Sequence, residues 1–153
     1  MVNAICAGCC HQGKGVVPVK TTDVRNALKS RLASGSYPFR TGIAWPNIDY
    51  SGARPYFDIS FTGVARVGDG VQGDEILEET GQFNAVVVVD RGVGEDDAHG
   101  LADTVAALFP EGLNLAISGA SIAVIQPTEI RGGFPSDADY RVPVAVRYHA
   151  LRD

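Results

Sequence analysis

The chain has 153 residues, of which 45% are hydrophobic and 20% are charged, and its formal net charge at pH 7 is −5. This length and composition predict one globular domain with a substantial core. The acidic balance argues against tight nucleic-acid binding, which requires a basic surface that neutralises phosphates. No apolar run reaches the ~18–20 residues that a membrane-spanning helix needs, and the start of the chain lacks the basic region of a secretory signal.

The segment GCCHQGKG at residues 8–15 is close to a phosphate-binding loop. Gly8, Gly13 and Lys14 match that motif, but Gly15 stands where the motif has the Ser or Thr that binds magnesium. Such a loop must also lead into a helix whose N-terminus holds the phosphates. The next residues, VVPV, cannot begin a regular helix. The context therefore argues against a nucleotide site.

The same segment contains a possible metal clip, made of Cys6, Cys9, Cys10 and His11. A structural zinc site normally needs two ligand pairs from separate parts of the chain. No second cysteine pair exists, and the other histidines, His99 and His149, are isolated. We predict no metal site here. Because all three cysteines crowd together, they cannot cross-link distant parts of the fold, which favours a reducing cytoplasm. Residues 1–20 are predicted to form an irregular arm that precedes a single domain at 21–153.

Apolar residues at spacings of three and four predict two amphipathic helices. The first begins with Thr22 as a predicted N-cap, buries Val24, Leu28 and Leu32, and ends near Gly35. The second spans 96–109, starts with acidic residues and ends before a Pro–Gly pair.

Strands are predicted at 41–45, 55–62, 78–89, 113–117, 121–126 and 140–148, most of them with alternating apolar residues. The run AVVVV at 85–89 suits a strand that is buried on both faces. Pro143 indicates an edge position or a bulge, because proline has no N–H to donate to a ladder. Glycine-rich segments at 63–73 and 132–136 are predicted to be loops.

This order of elements predicts an α+β fold, with two main helices packed on one face of a mostly antiparallel β-sheet. No catalytic residues and no cofactor are predicted, because no nucleophile, base and orienting group occur together in a motif. The acidic cluster of Asp74, Glu75, Glu78 and Glu79 is interpreted as a solvated loop rim. His99 is placed on the polar side of its helix. The segment RGVG at 91–94 is interpreted as a strand-to-helix turn, with acidic residues capping the helix that follows.

From residue 23 onward the order of segments resembles the tail terminator proteins of long-tailed bacteriophages and gene transfer agents. The segments that carry the resemblance are VRNALKSRL (24–32), IAWPN (43–47), RPYFDI (54–59), GQFN (81–84), DRGVG (90–94), LAD (101–103) and DYRVPV (139–144).

The resemblance implies a homo-oligomer, a hexameric ring that caps the tail tube, stops tube polymerisation and joins the tail to the head-side connector. Its partners would be the tail tube protein and a connector or neck protein, at the head-proximal end of the virion tail, after assembly in the host cytoplasm. DNA would pass through the ring without specific binding, because acidic subunits repel phosphates. No catalytic, cofactor or metal residue is carried over. The arm would pack against a ring neighbour or the connector.

Two alternatives stay open. The chain could be another ring subunit of the tail or neck, such as a tube or head completion protein. It could also be a small metal- or nucleotide-binding enzyme that uses residues 6–15.

Overall fold

A computed structural model of the protein describes residues 18–68 and 76–153. The two helices are α1 (Thr21–Ala33) and α2 (Asp96–Leu108). The strands are, in chain order, β1 (Gly42–Ala44), β2 (Tyr56–Gly68), β3 (Ile76–Asp90), β4 (Asn114–Ile117), β5 (Ala120–Val124), β6 (Glu129–Ile130), β7 (Phe134–Ser136) and β8 (Asp139–Arg152). Among these residues, neither helix has the length and apolar character required to cross a membrane.

All eight strands belong to one strongly curled sheet. The strand order is β1-β2-β3-β8-β5-β4, and β6 and β7 pair with β8 beside β5. Every pairing is antiparallel except that of β1 with β2. The predicted α+β fold with a mostly antiparallel sheet is confirmed.

The core lies between the two helices and one face of the sheet. From α1 it takes the predicted stripe of Val24, Leu28 and Leu32, each 0% exposed. Burying such aliphatic side chains is worth about 1.5–3 kcal/mol each, so this packing rather than helix propensity holds α1 in place. The remaining buried members are contributed mainly by α2, β2, β3 and β8: Ala98, Leu101, Ala102, Val105, Phe57, Ile59, Phe83, Ala85, Val87, Val142, Val144, Val146 and Tyr148.

The valine run of β3 is buried on both faces over part of its length, as predicted. Val87 and Val89 belong to the core cluster. Val88, which points to the opposite face, is also 0% exposed.

The β2–β3 hairpin is longer than the sequence predicts. A loop was expected from Gly63 onward, but β2 continues to Gly68 and remains paired with β3. The register shifts between Thr62 and Ala65, and Gly63 has φ +63. The glycine therefore forms a β-bulge within a strand rather than starting a loop. The rest of the expected loop, residues 69–75, lies outside the described residues. In the second expected loop, residues 134–136 form β7.

Pro143 lies in an interior strand, so the predicted edge position is wrong. It is opposite Val86 of β3, while its carbonyl accepts a hydrogen bond from the Arg131 N–H at 2.9 Å. A regular antiparallel pair of residues 131 and 143 would need a second bond donated by Pro143. Because proline has no N–H, the β6 ladder ends at Ile130, the partner of Val144.

Candidate assembly surface

The strands β2, β3 and β8 present a second face that points away from the helices. Side chains alternate between the faces of a strand, so the residues between the core positions lie on this side, which we call the outer face. Its members are Tyr56, Asp58, Ser60 and Thr62 of β2, Glu78, Thr80, Gln82, Asn84, Val86, Val88 and Asp90 of β3, and Asp139, Arg141, Pro143, Ala145, Arg147 and His149 of β8. Most of these are polar or charged.

One end of the outer face carries a network of paired charges. Arg141 donates to Asp58 and to Asp139, each at 3.2 Å. Arg54 donates to Asp90 at 3.2 Å and forms an ion pair with the other carboxylate oxygen of Asp139. Asp139 is almost fully buried, so its two arginine partners supply the compensation that a buried carboxylate requires. We call these five residues the charged network.

The surroundings of Arg141 fix its charge. Desolvation, the largest single effect, lowers its pKa, but hydrogen bonds from its guanidinium to Asp58 and Asp139, together with the nearby Tyr56, outweigh that effect and raise the pKa overall. Arg141 therefore acts as a permanent cation that holds β2 and β8 together across β3.

The other end of the outer face is arranged differently. Thr62, Gln82 and Arg147 lie side by side across β2, β3 and β8, and the Ile125 N–H donates to the Arg147 carbonyl at 3.2 Å, which extends the row beyond β5. The row borders a groove of about 440 Å³. Among the described residues Arg147 has no carboxylate partner, and Ile125 is 49% exposed. This end, which we call the open groove, thus displays an unneutralised cation beside exposed apolar surface.

The sheet has several strand edges without a partner among the described residues, and one of them belongs to β2. β1 pairs with β2 only at Tyr56–Asp58, and within the described ranges no strand pairs with the outer edge of β2 beyond that point. Free edges tend to pair with other chains. The bulge at Gly63 interrupts this edge and makes it a poorer template for an added strand.

A buried carboxylate lies on the core side, where the described chain begins. Glu79 is 0% exposed and accepts a hydrogen bond from the Thr21 hydroxyl at 2.5 Å. Tyr148 donates to its other oxygen at 3.4 Å, and Arg66 forms an ion pair at 3.7 Å with the oxygen that accepts from Thr21. Burial, and after it the negative charge of Glu79, raises the pKa of Tyr148 to about 12. The cluster holds the start of α1 against the sheet.

This arrangement corrects two predictions. Thr22 was expected to be the N-cap, but α1 begins at Thr21 after Lys20, which makes no side-chain cap hydrogen bond. Thr21 instead bonds to Glu79, a residue 58 positions away, so a tertiary contact replaces the local cap. Glu79 is therefore buried rather than part of a solvated loop rim.

The core also extends further toward the N-terminus than the predicted domain start at residue 21. Val19 is 1% exposed, and its N–H donates to the carbonyl of Ile76 at 3.0 Å. The N-terminal residues considered for nucleotide or metal binding, Cys6, Cys9, Cys10, His11 and residues 8–15, lie outside the described residues. The predicted arm therefore remains a prediction over residues 1–17.

The remaining acidic and histidine side chains considered in the sequence do not lie together. Asp74 and Glu75 lie outside the described residues, and Glu78 pairs with His149 at 2.8 Å. His99 lies 3.6 Å from Glu95, the residue just before α2. Within residues 18–68 and 76–153, no group of three or more His, Cys, Asp or Glu side chains is placed to hold a metal ion.

The predicted strand-to-helix turn at 91–94 is confirmed. Gly92 and Gly94 both have positive φ values, of 91 and 84, which this turn requires. Glu95 occupies the N-cap position but makes no side-chain cap hydrogen bond. The acidic residues at the start of α2 therefore complement the helix dipole without closing a cap.

Comparison with known proteins agrees with this geometry. The sequence profile of a family described as "Phage tail terminator protein" matches residues 23–148. Seven chains of solved structures match, and one of them has a TM-score of 0.70 at 22% identity, with 88% of this chain and 98% of that chain covered. At that identity the likeness shows the fold alone. No curated protein matches the sequence significantly. Because the family profile covers most of the chain, the protein belongs to the phage tail terminator family and is a structural component of a phage tail.

Proposed function

We propose that this chain is the subunit of a ring that caps the tail tube, ends tube polymerisation and offers its other side to the head-side connector. The observation that carries the proposal is the family match over residues 23–148. The family match also favours this role over the alternatives of a tube or head completion protein.

The distribution of charge supports a subunit that works through its surfaces. At one end of the outer face, Arg54 and Arg141 are neutralised within the same chain. At the other end, the open groove leaves Arg147 and Ile125 for contact with another molecule. Charges that are paired within one chain keep the fold rigid, whereas unpaired charges can select a partner surface of opposite charge. A protein that binds copies of itself in a fixed orientation needs both.

Two measurements test the proposal. Mass measurement and negative-stain imaging of the purified protein should show closed rings of uniform subunit number. Tail tube protein of the same phage should then stop lengthening when the rings are added. Tubes that continue to grow at saturating amounts of the protein would contradict a terminating role. A chain that stays monomeric at high concentration would contradict the ring.

A further inference from the structure

We infer that the open groove receives the turn between β3 and α2 of a second copy of this chain, so that neighbouring subunits associate head to tail. The inference rests on the proposed ring and names the contact that builds it. It is carried by the match in charge and apolar surface between two exposed regions at opposite ends of the outer face.

The open groove supplies a cation and an apolar patch. Arg147 is exposed on the outer face and has no acidic partner among the described residues, whereas Arg141, on the same strand and face, has two. Ile125 lies beside it, and the backbone bond between the two residues fixes their spacing. An exposed isoleucine next to an unpaired arginine fits a partner that presents an apolar side chain flanked by carboxylates.

The turn between β3 and α2 presents such a group. Val93 is 63% exposed at its tip. Asp96 and Asp97 follow at the start of α2, and within the described parts of the chain neither has an ion-pair partner. The turn is firmly held, because the Arg91 N–H donates to the Ala138 carbonyl at 2.9 Å. It can therefore enter a groove without a large cost in conformational entropy.

The open groove and the turn lie too far apart in one chain to touch, so they can meet only between two copies. The open groove crosses β3 at Gln82, whereas the turn follows Asp90 at the end of the same strand. Eight residues of extended strand separate them by roughly 26 Å. A contact between different patches of identical chains is heterologous, and such contacts form either a closed ring or an open filament.

Charge reversal tests the contact directly. Arg147→Glu places like charges together at every interface, and so does Asp96→Arg. Each single variant should weaken association, measured by sedimentation velocity over a range of subunit concentrations, by about tenfold or more. The double variant restores opposite charges in swapped positions and should recover association to within about threefold of the wild type. Arg40→Glu is the matched control for Arg147→Glu, because Arg40 is exposed elsewhere and its reversal changes the net charge by the same amount.

A disulfide test gives a second readout that does not depend on charge. Val93→Cys combined with Ile125→Cys, in a chain whose three native cysteines are replaced by serine, should form covalent ladders of subunits after mild oxidation. Either cysteine alone should yield covalent dimers at most, and only in small amounts.

The outcomes separate this contact from the proposed function. If the wild type forms rings and both single variants associate equally well, the contact is overturned and the ring stands. The same holds if the double variant associates more weakly than either single variant. A wild-type chain that stays monomeric at every concentration would overturn the ring and the contact together.

Discussion

Replacing Thr21 by valine should destabilise the protein by about 2 kcal/mol, because it removes the hydroxyl that donates to the buried Glu79. Valine has nearly the volume of threonine, so packing at the start of α1 is retained while the 2.5 Å hydrogen bond is lost. A hydrogen bond to a charged group contributes about 1.5–3 kcal/mol. The loss stays below the cost of an isolated buried charge, because Arg66, 45% exposed, still neutralises the carboxylate at 3.7 Å.

Thermal and urea unfolding, followed by far-ultraviolet circular dichroism, measure this change. For a domain of this size, 1 kcal/mol shifts Tm by about 2–4 °C, so Thr21→Val should melt about 4–8 °C below the wild type. All variants must be compared at one subunit concentration, because any association between copies would stabilise the folded state.

Thr22→Val is the matched control, since it removes an exposed hydroxyl from the neighbouring position of the same helix. Its cost should stay below about 0.5 kcal/mol. If Thr22 were the N-cap, its replacement would instead cost about 1 kcal/mol. Equal losses at the two positions, or a Thr21→Val variant as stable as the wild type, would refute the role assigned to Glu79.

Three further predictions concern the core and the outer face. Phe83→Ala removes a fully buried ring packed against Phe109 at a centroid distance of 5.6 Å, and it should lower the free energy of unfolding in urea by about 3–5 kcal/mol. The same change at the exposed Phe134 should cost far less, and similar losses of stability at the two positions would contradict this core. An unfolded tyrosine titrates near pH 10, but Tyr148 in the folded chain has a pKa of about 12. The unfolded chain therefore binds fewer protons between these pH values, and the free energy of unfolding should fall by about 3 kcal/mol as pH rises through them. Tyr148→Phe should flatten this decline in a pH series of unfolding curves, and an unchanged slope would contradict the assignment. Arg141→Gln should lower stability by about 1–3 kcal/mol, whereas Arg40→Gln, at an exposed position outside the charged network and the open groove, should be nearly neutral; equal effects would show that the charged network does not stabilise the fold.

The fold could largely be predicted where the spacing of apolar residues matches the face of the element that is buried. The stripe of α1 at Val24, Leu28 and Leu32 and the alternation of β8 each have a spacing that fits only one type of element. The extended β2 was missed because glycine signals turns and bulges equally, and only pairing with β3 decides between them. The interior position of Pro143 was missed for a similar reason, since the break between β6 and β7 that tolerates it is visible only in the sheet.

The candidate assembly surface could not be predicted in the same way. Arg141 and Arg147 occupy equivalent positions in the alternation of β8, yet the first meets Asp58, 83 residues away, and the second meets no carboxylate in the described structure. That difference depends on which strands flank β8 and in what register, information that no local pattern contains. The buried Glu79 escaped prediction likewise, because the neighbouring acidic residues in the sequence indicated a solvated segment and only the packing of α1 covers it.

Beyond Asp58 the edge of β2 has no strand partner among the described residues, and a subunit of the proposed ring would have to avoid unwanted pairing there. An uncovered strand edge would let copies add to one another through backbone pairing, without regard to side chains and without a defined angle. The bulge at Gly63 disrupts this edge, so backbone pairing offers little energy there. At this edge the proposed ring would therefore gain little from backbone pairing and would depend on side chains that match in charge and shape, such as Arg147 and Ile125 with the turn at Val93. A ring closes only when every interface repeats one geometry, and an edge that discourages indiscriminate pairing together with a selective groove favours that single geometry.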